Sequence, residues 1–348
     1  MSDRLRLLHL GLGAWGANWA THVLPNHPHV DVVGYVDMIP EKRLAMAGRL
    51  GEAGERFHES LTQAFRKTKV DAVSIAVPIA LHEPLAREAL DAGKHVLLEK
   101  PFAPTFEAAR SLVELAEQRG LVLAISQNYR YYPAPRLIAE LSRGGYFGAI
   151  IGGKIDFRRN AIIEQSANLK VPNPMLGDMA VHHYDLMRML IGADPVEISA
   201  RSWNPPGSPY EMDAAAAMVV SFPGGVTISY RGSWIDPGPQ TAWAGEWQLD
   251  FERASVAWTA RGDQPWQTRR DHVEISRPNA PAEVVELKDM PLNDRAGVLE
   301  AFAETVRTGS PPADFPTGRA NLGTLAMVDA ALRSAKAGGS PARMIGGG

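Results

Sequence analysis

This sequence predicts a two-domain α/β protein: a parallel α/β domain over residues 1–126, then a second α/β domain built on a mostly antiparallel sheet over residues 127–348. Three observations carry that expectation. Residues 4 to about 125 alternate short apolar runs with helix-periodic segments, the pattern of a parallel sheet covered by helices. Beyond residue 126, strand-like runs joined by hairpin signals predominate. A length of 348 residues also exceeds what a single core usually organises.

In the first domain, residues 6–10, 30–36, 71–77, 95–98 and 121–125 read as strands. Between the last two, Phe106, Ala109, Leu112, Val113 and Ala116 recur at helical spacing, and Gly120 stands where a C′ residue closes a helix. Residues 133–145 read as one more helix. Strand patterns follow over 149–157, 196–203, 217–222, 226–234 and 247–258, with Phe222-Pro223-Gly224-Gly225-Val226 as a turn between two of them. Six of the eight tryptophans fall between 203 and 266, which marks this half as the one with a large apolar sheet face. Residues 299–306, and then Leu322, Leu325, Ala326 and Leu332, predict two closing helices that pack back on the first domain, separated by Pro311-Pro312.

Composition narrows the function. A formal net charge of −3 gives no reason to expect nucleic acid or an anionic membrane as partner. The absence of cysteine excludes disulfides, thiolate nucleophiles and cysteine-ligated metals. No uninterrupted apolar run reaches the roughly 18 residues of a membrane span, and the strand-like run beginning near Leu5 leaves no room for a leader. The expectation is a cytoplasmic protein acting on a small molecule.

Gly11-Leu12-Gly13-Ala14-Trp15-Gly16 follows the first strand and opens the first helix. The spacing is that of a Rossmann dinucleotide fingerprint: Gly11 for the tight turn, Gly13 for backbone approach to the pyrophosphate, Gly16 for helix–strand packing. Asp37 ends the second strand 21 residues after Gly16, where a ribose-binding carboxylate is expected. Such a carboxylate favours NAD; Lys42 and Arg43 soften its repulsion of a 2′-phosphate and leave NADP possible. Val77-Pro78 ends the third strand and His82 opens the next helix. Their position fits the nicotinamide-side ribose and phosphate as well as it fits an ordinary helix-opening turn.

Two further constellations carry chemistry. In Ala92-Gly93-Lys94-His95-Val96-Leu97-Leu98-Glu99-Lys100-Pro101, a buried strand delivers Glu99 and Lys100 to its carboxyl end, the side of a parallel sheet where ligands bind. A solvated turn lysine is the alternative. In Gly177-Asp178-Met179-Ala180-Val181-His182-His183-Tyr184-Asp185-Leu186, Asp178 and His182 stand at i and i+4, on one helix face. A carboxylate beside an imidazole fixes its tautomer and raises its basicity, which suits a general acid/base; a surface helix contact has the same spacing. His183 and Asp185 invite a metal site, but adjacent histidines diverge by about 100° and no second ligand cluster accompanies them, so no metal is expected.

Taken in order, these residues resemble the Gfo/Idh/MocA oxidoreductases, the glucose–fructose oxidoreductase and inositol dehydrogenase group. The resemblance runs from Gly11 through Val77-Pro78, His82, Glu99-Lys100-Pro101, Gln127-Asn128-Tyr129-Arg130 with Pro133, and Asp178…His182…Asp185-Leu186 to Ala330-Ala331…Arg333-Ser334. It implies a second domain with a large open sheet that forms a dimer or tetramer interface. It also implies Lys100 at the nicotinamide, Asp178 beside His182, and His182 as proton acceptor for a sugar-type hydroxyl. Asn128, Tyr129, Arg158 and His183 are candidate substrate residues by position, and Asn128 a candidate cofactor residue. Two departures stand out: Val77 replaces the usual threonine or serine, and Met175-Leu176-Gly177 replaces paired glycines before Asp178. The expected activity is hydride transfer between NAD(P) and a secondary hydroxyl or ketone of a sugar, inositol or related polyol. An NAD-dependent glycosidase using transient oxidation, and a non-catalytic cofactor or sugar sensor, are the alternatives.

Overall fold

The computed structural model describes residues 4–25, 27–162, 169–262 and 271–345. The chain forms two compact units, one of Met1–Asn128 with Leu292–Leu322, the other of Tyr129–Pro291 with Gly323–Gly348.

In the first unit β1 (Leu5–Leu10), β2 (Val30–Val36), β3 (Phe57–His58), β4 (Ala72–Ile75), β5 (His95–Leu98) and β6 (Leu123–Ile125) make one parallel sheet in the order β3-β2-β1-β4-β5-β6. The order reverses between β1 and β4, and ligands of such sheets bind beyond the strand ends at that reversal. Leu7, Leu8, Val73, Ile75, Val96 and Leu98 are at most 1% exposed, so these strands are covered on both faces. The covering helices are α1 (Ala14–Asn18, continued as a π-helical segment Trp19–Val23), α2 (Pro40–Leu50), α3 (Leu61–Lys67), α4 (His82–Asp91) and α5 (Phe106–Gln118). Local chemistry explains their ends. Ser60 and Thr105 accept the N–H groups of Gln63 and Ala108 as N-caps. Gly120 turns the chain out of α5 at φ 64°, as its position predicts. The third predicted strand ends at Ile75, two residues early, and leaves Val77 in the loop between β4 and α4.

In the second unit, α6 (Pro133–Arg143) and α7 (Ala180–Ile191) accompany a nine-stranded sheet. Its strands are β7 (Ile150–Arg158), β8 (Glu197–Trp203), β9 (Ala215–Ser221), β10 (Thr227–Ser233), β11 (Glu246–Phe251), β12 (Ser255–Thr259), β13 (His272–Ser276), β14 (Glu283–Val284) and β15 (Ala342–Arg343). The order is β14-β13-β12-β11-β7-β10-β9-β8-β15, antiparallel throughout except for β7 beside β10. The run 247–258, expected as one strand, is two: the chain folds back at Glu252 and Arg253, and the Phe251 N–H donates to the Ala254 carbonyl at 2.8 Å. One face buries Phe157, Tyr230, Trp247 and Trp258; the other carries short or charged residues such as Lys154, Ser229, Arg231 and Ala257.

The closing helices are α8 (Asp294–Thr308) and α9 (Gly318–Lys336). Residues 292–322 group with the first unit, where Ile125 N–H donates to the Pro316 carbonyl at 2.9 Å, and the division falls inside α9. Among the described residues no helix is long and apolar enough to cross a membrane.

Burial sets a pH dependence. His9 and His183 lie in the two cores, and desolvation pushes each imidazole down to about 4. A base whose pKa is depressed by folding stabilises the native state above its unfolded value near 6.5, and that stability is lost as pH falls toward the folded value. Chemical denaturation at pH 5 instead of pH 7 is therefore expected to show a loss of about 2 kcal/mol per histidine. His9→Gln and His183→Gln should each flatten the profile by that share.

Candidate active site

The glycine-rich turn shows why Gly11 and Gly16 admit no side chain. Gly11 takes φ +100°, and a Cβ there would lie 2.3 Å from the Ala76 carbonyl oxygen. A Cβ on Gly16 would lie 2.0 Å from the Gly11 carbonyl oxygen, because α1 starts against its own loop. Gly13 differs: a Cβ there meets nothing nearer than Lys42 Nζ at 4.0 Å, so the backbone is bare toward open space. A diphosphate requires such a cradle. Gly16→Ala is expected to lower stability by about 3 kcal/mol and to abolish NADH binding, whereas Gly48→Ala, in open space within α2, should raise stability slightly. Thermal unfolding and NADH titration of the two variants check this.

Asp37 closes the far side of the turn and is 8% exposed. Its Oδ2 accepts the Leu12 N–H at 2.8 Å and its Oδ1 the Ile39 N–H at 2.9 Å, so the carboxylate is fixed with lone pairs to spare. Arg43 Nη1 donates to the Asp37 carbonyl at 2.6 Å rather than to its carboxylate. These residues fit a dinucleotide with a free 2′-hydroxyl. Ala14 and Trp15 are exposed at the turn, while Leu12 is buried beneath it.

Three predicted cofactor residues make hydrogen bonds within the protein. His82 is 1% exposed; its Nε2 lies 2.9 Å from the Val77 carbonyl and its Nδ1 2.9 Å from that of Pro101. The imidazole ties the loops after β4 and β5 together, as the helix-opening turn, the alternative to cofactor contact, would have it. Burial lowers its pKa. Glu99 Oε1 accepts the Trp19 indole N–H at 2.7 Å and its Oε2 the Lys100 N–H at 3.1 Å, fastening α1's continuation to the end of β5. Asn128 donates its side-chain amide to Asp294. Lys100 follows Glu99 directly at the carboxyl end of β5 and is partly exposed. Pro78 follows Val77 beyond β4.

In the second unit, Pro174–Met179 is a π-helical turn that runs into α7. Asn173 opens it at φ 49°, and its carbonyl accepts the N–H groups of Gly177 and Asp178. Asp178 is thus the penultimate residue of a wide turn, and His182 stands in the first turn of α7; turns of this kind recur at functional sites. His182 is 5% exposed and lies flat on Tyr129, with ring centres 4.1 Å apart and planes 6° from parallel. Arg261, unmarked by any sequence signal, donates to the Tyr129 hydroxyl at 2.8 Å and covers that ring at 5.0 Å. Arg130, adjacent to Tyr129, makes a bidentate pair with Asp185 at 2.6 Å on both arms, buried on both sides. Thr324 also donates to Asp185.

Two candidate substrate residues are corrected. His183 is completely buried, with Nδ1 3.0 Å from the Tyr230 hydroxyl and Nε2 3.4 Å from the Trp243 carbonyl; it faces the sheet because it is one residue off the His182 face. Arg158 lies on the sheet's polar face, paired with Asp156 and Glu246. Strand alternation turns its neighbour Arg159 inward, 4.0 Å over Trp243.

Residues 5–127 match the model described as "Oxidoreductase family, NAD-binding Rossmann fold", and residues 136–257 that of the "GFO/IDH/MocA C-terminal domain". The chain is 27% identical over 332 residues to dTDP-3,4-didehydro-2,6-dideoxy-alpha-D-glucose 3-reductase of Streptomyces violaceoruber, covering 92% of this chain and 91% of the relative. It is 23% identical over 338 residues to D-apiose dehydrogenase of Paraburkholderia graminis, covering 90% and 85%. Among solved structures, an inositol dehydrogenase homolog of Azotobacter vinelandii complexed with NADH and myo-inositol superimposes with a TM-score of 0.84 at 18% identity, over 99% of this chain and 98% of that one. With both domain models matched in order along the chain, this protein is a member of the Gfo/Idh/MocA oxidoreductases and carries their NAD-binding Rossmann domain.

Proposed function

We propose that the protein oxidises a secondary hydroxyl of a sugar, cyclitol or related polyol, or reduces the matching ketone, with NAD as hydride carrier. The carrying observation is His182, an imidazole held flat on Tyr129 where α7 begins, four residues after Asp178. The nicotinamide supplies the hydride acceptor. His182 takes the hydroxyl proton, since a carbinol cannot lose hydride productively while it keeps that proton. Asp178 orients the imidazole and stabilises its protonated form. Lys100 has the role of offsetting charge that develops on the oxygen. Relatives named for sugar substrates support this substrate class.

Asp37, fixed by two backbone N–H groups, favours NAD over NADP. Asp37→Ser is expected to weaken NADH binding by about tenfold and to narrow the preference over NADPH, measured by calorimetry. The polar, small-residue face of the nine-stranded sheet is proposed to pair copies of the chain into a dimer or tetramer, and the cytoplasm to be the working compartment. A panel of sugars, inositols and sugar acids, followed simultaneously for NADH absorbance and for sugar release, tests the activity. Stoichiometric NADH supports it; sugar release without NADH would replace it with transient oxidation.

A further inference from the structure

Helix α8 begins with two residues that the reaction above does not use. Asp294 takes a left-handed φ of 52° and accepts the Asn128 side-chain amide. Arg295 beside it is 9% exposed. Its guanidinium carbon lies 4.4 Å from the centre of the Trp15 ring and 5.5 Å from that of Trp19, and its Nη2 donates to Asn18 Oδ1 at 2.6 Å. All three partners belong to the glycine-rich turn or to the helix it opens. Arg295 Nε and Nη1 are buried and meet no hydrogen-bond acceptor among the described residues; Asp294 Oδ2 stands 3.7 Å from Nε, beyond hydrogen-bond reach.

Anchoring α8 to two indoles does not require a charge. A methionine or leucine would pack there without desolvating a guanidinium or leaving two N–H groups unmet. A cation is favoured at that position if an anion arrives beside it. The turn contributes backbone dipoles toward a diphosphate, but its own side chains, Leu12, Ala14 and Trp15, contribute no charge. Lys42 reaches Gly13 from α2, and Arg295 reaches Trp15 from α8.

We propose that Arg295 is a cofactor-positioning residue: its charge serves the dinucleotide's diphosphate, and its stack on Trp15 holds the glycine-rich turn in the binding conformation. This rests on the dinucleotide reading and adds a residue that lies 279 positions beyond Gly16, outside the fingerprint.

Calorimetric titration of the full chain with NADH, ADP-ribose and adenosine tests it, on the wild type, Arg295→Met, Arg295→Lys and Trp15→Leu, with the melting temperature of each. Arg295→Met is expected to weaken NADH and ADP-ribose about tenfold at low salt and less at high salt, and to leave adenosine, which has no phosphate, unchanged. Arg295→Lys should recover part of the loss, and Trp15→Leu should repeat it. If Arg295→Met lowers only the melting temperature, or weakens adenosine as much as NADH, the residue is a structural strap and the inference fails. A wild-type protein that binds adenosine but no dinucleotide would overturn the underlying reading and this inference together.

Discussion

His182→Ala is expected to lower kcat by roughly 10²–10⁴-fold while leaving NADH affinity within about twofold of the wild type. The imidazole belongs to the second unit and the glycine-rich turn to the first, so removing the ring leaves Gly11, Gly13, Gly16 and Asp37 intact. His182→Asn keeps a polar plane over Tyr129 without a usable base and should be nearly as slow. Lys100→Met, which keeps the stem and removes the charge, should cost about 10²–10³-fold by the loss of electrostatic stabilisation. Steady-state kinetics and NADH titration check all three. Near-normal turnover in His182→Ala would remove the residue from the chemistry.

Asp185→Ala is expected to be the most damaging change for stability, by about 3–5 kcal/mol, or a fall of about 10 °C in melting temperature. It deletes both arms of the Arg130 pair in a place where neither partner is more than 5% exposed, and strips Thr324 of an acceptor. Function should suffer too, because Arg130 adjoins Tyr129, the platform under His182. Arg130→Met combined with Asp185→Leu separates the two effects. Replacing both charges by apolar side chains should restore much of the stability. Activity should stay low where the platform has lost its support. A double variant as unstable as Asp185→Ala would mean that the ion pair is not the source of the loss.

The cofactor half is legible in the sequence because its determinants are local. Gly11, Gly13 and Gly16 act within one turn, and Asp37 lies at a spacing set by one β-α-β unit, so a linear pattern contains the geometry. His82 shows the limit of that reasoning. Its place at the opening of a helix is correctly read, but whether a ring faces ligand or meets two carbonyls depends on Val77 and Pro101 arriving from different loops. The same holds for His183 and Arg158, one residue away from His182 and Arg159: period decides which face each takes, and the sequence leaves the phase open. The platform under His182 is illegible for a stronger reason. Tyr129, Arg261 and the Arg130–Asp185 pair meet only after the second unit has folded, across sequence separations of 55 to 132 residues. The division inside α9 belongs with these, since nothing in a continuous helical pattern marks where allegiance to one sheet ends.

Isotopic labelling distinguishes direct hydride transfer from a sugar-type carbinol from every alternative route. A substrate found in the sugar and polyol panel, deuterated at its ring carbons, is turned over with NAD, and the reduced cofactor is analysed by mass spectrometry. Direct transfer should leave one deuterium on the nicotinamide for each substrate molecule oxidised. Product that forms while the deuterium stays in the sugar, or is lost to water with no labelled cofactor, would contradict it.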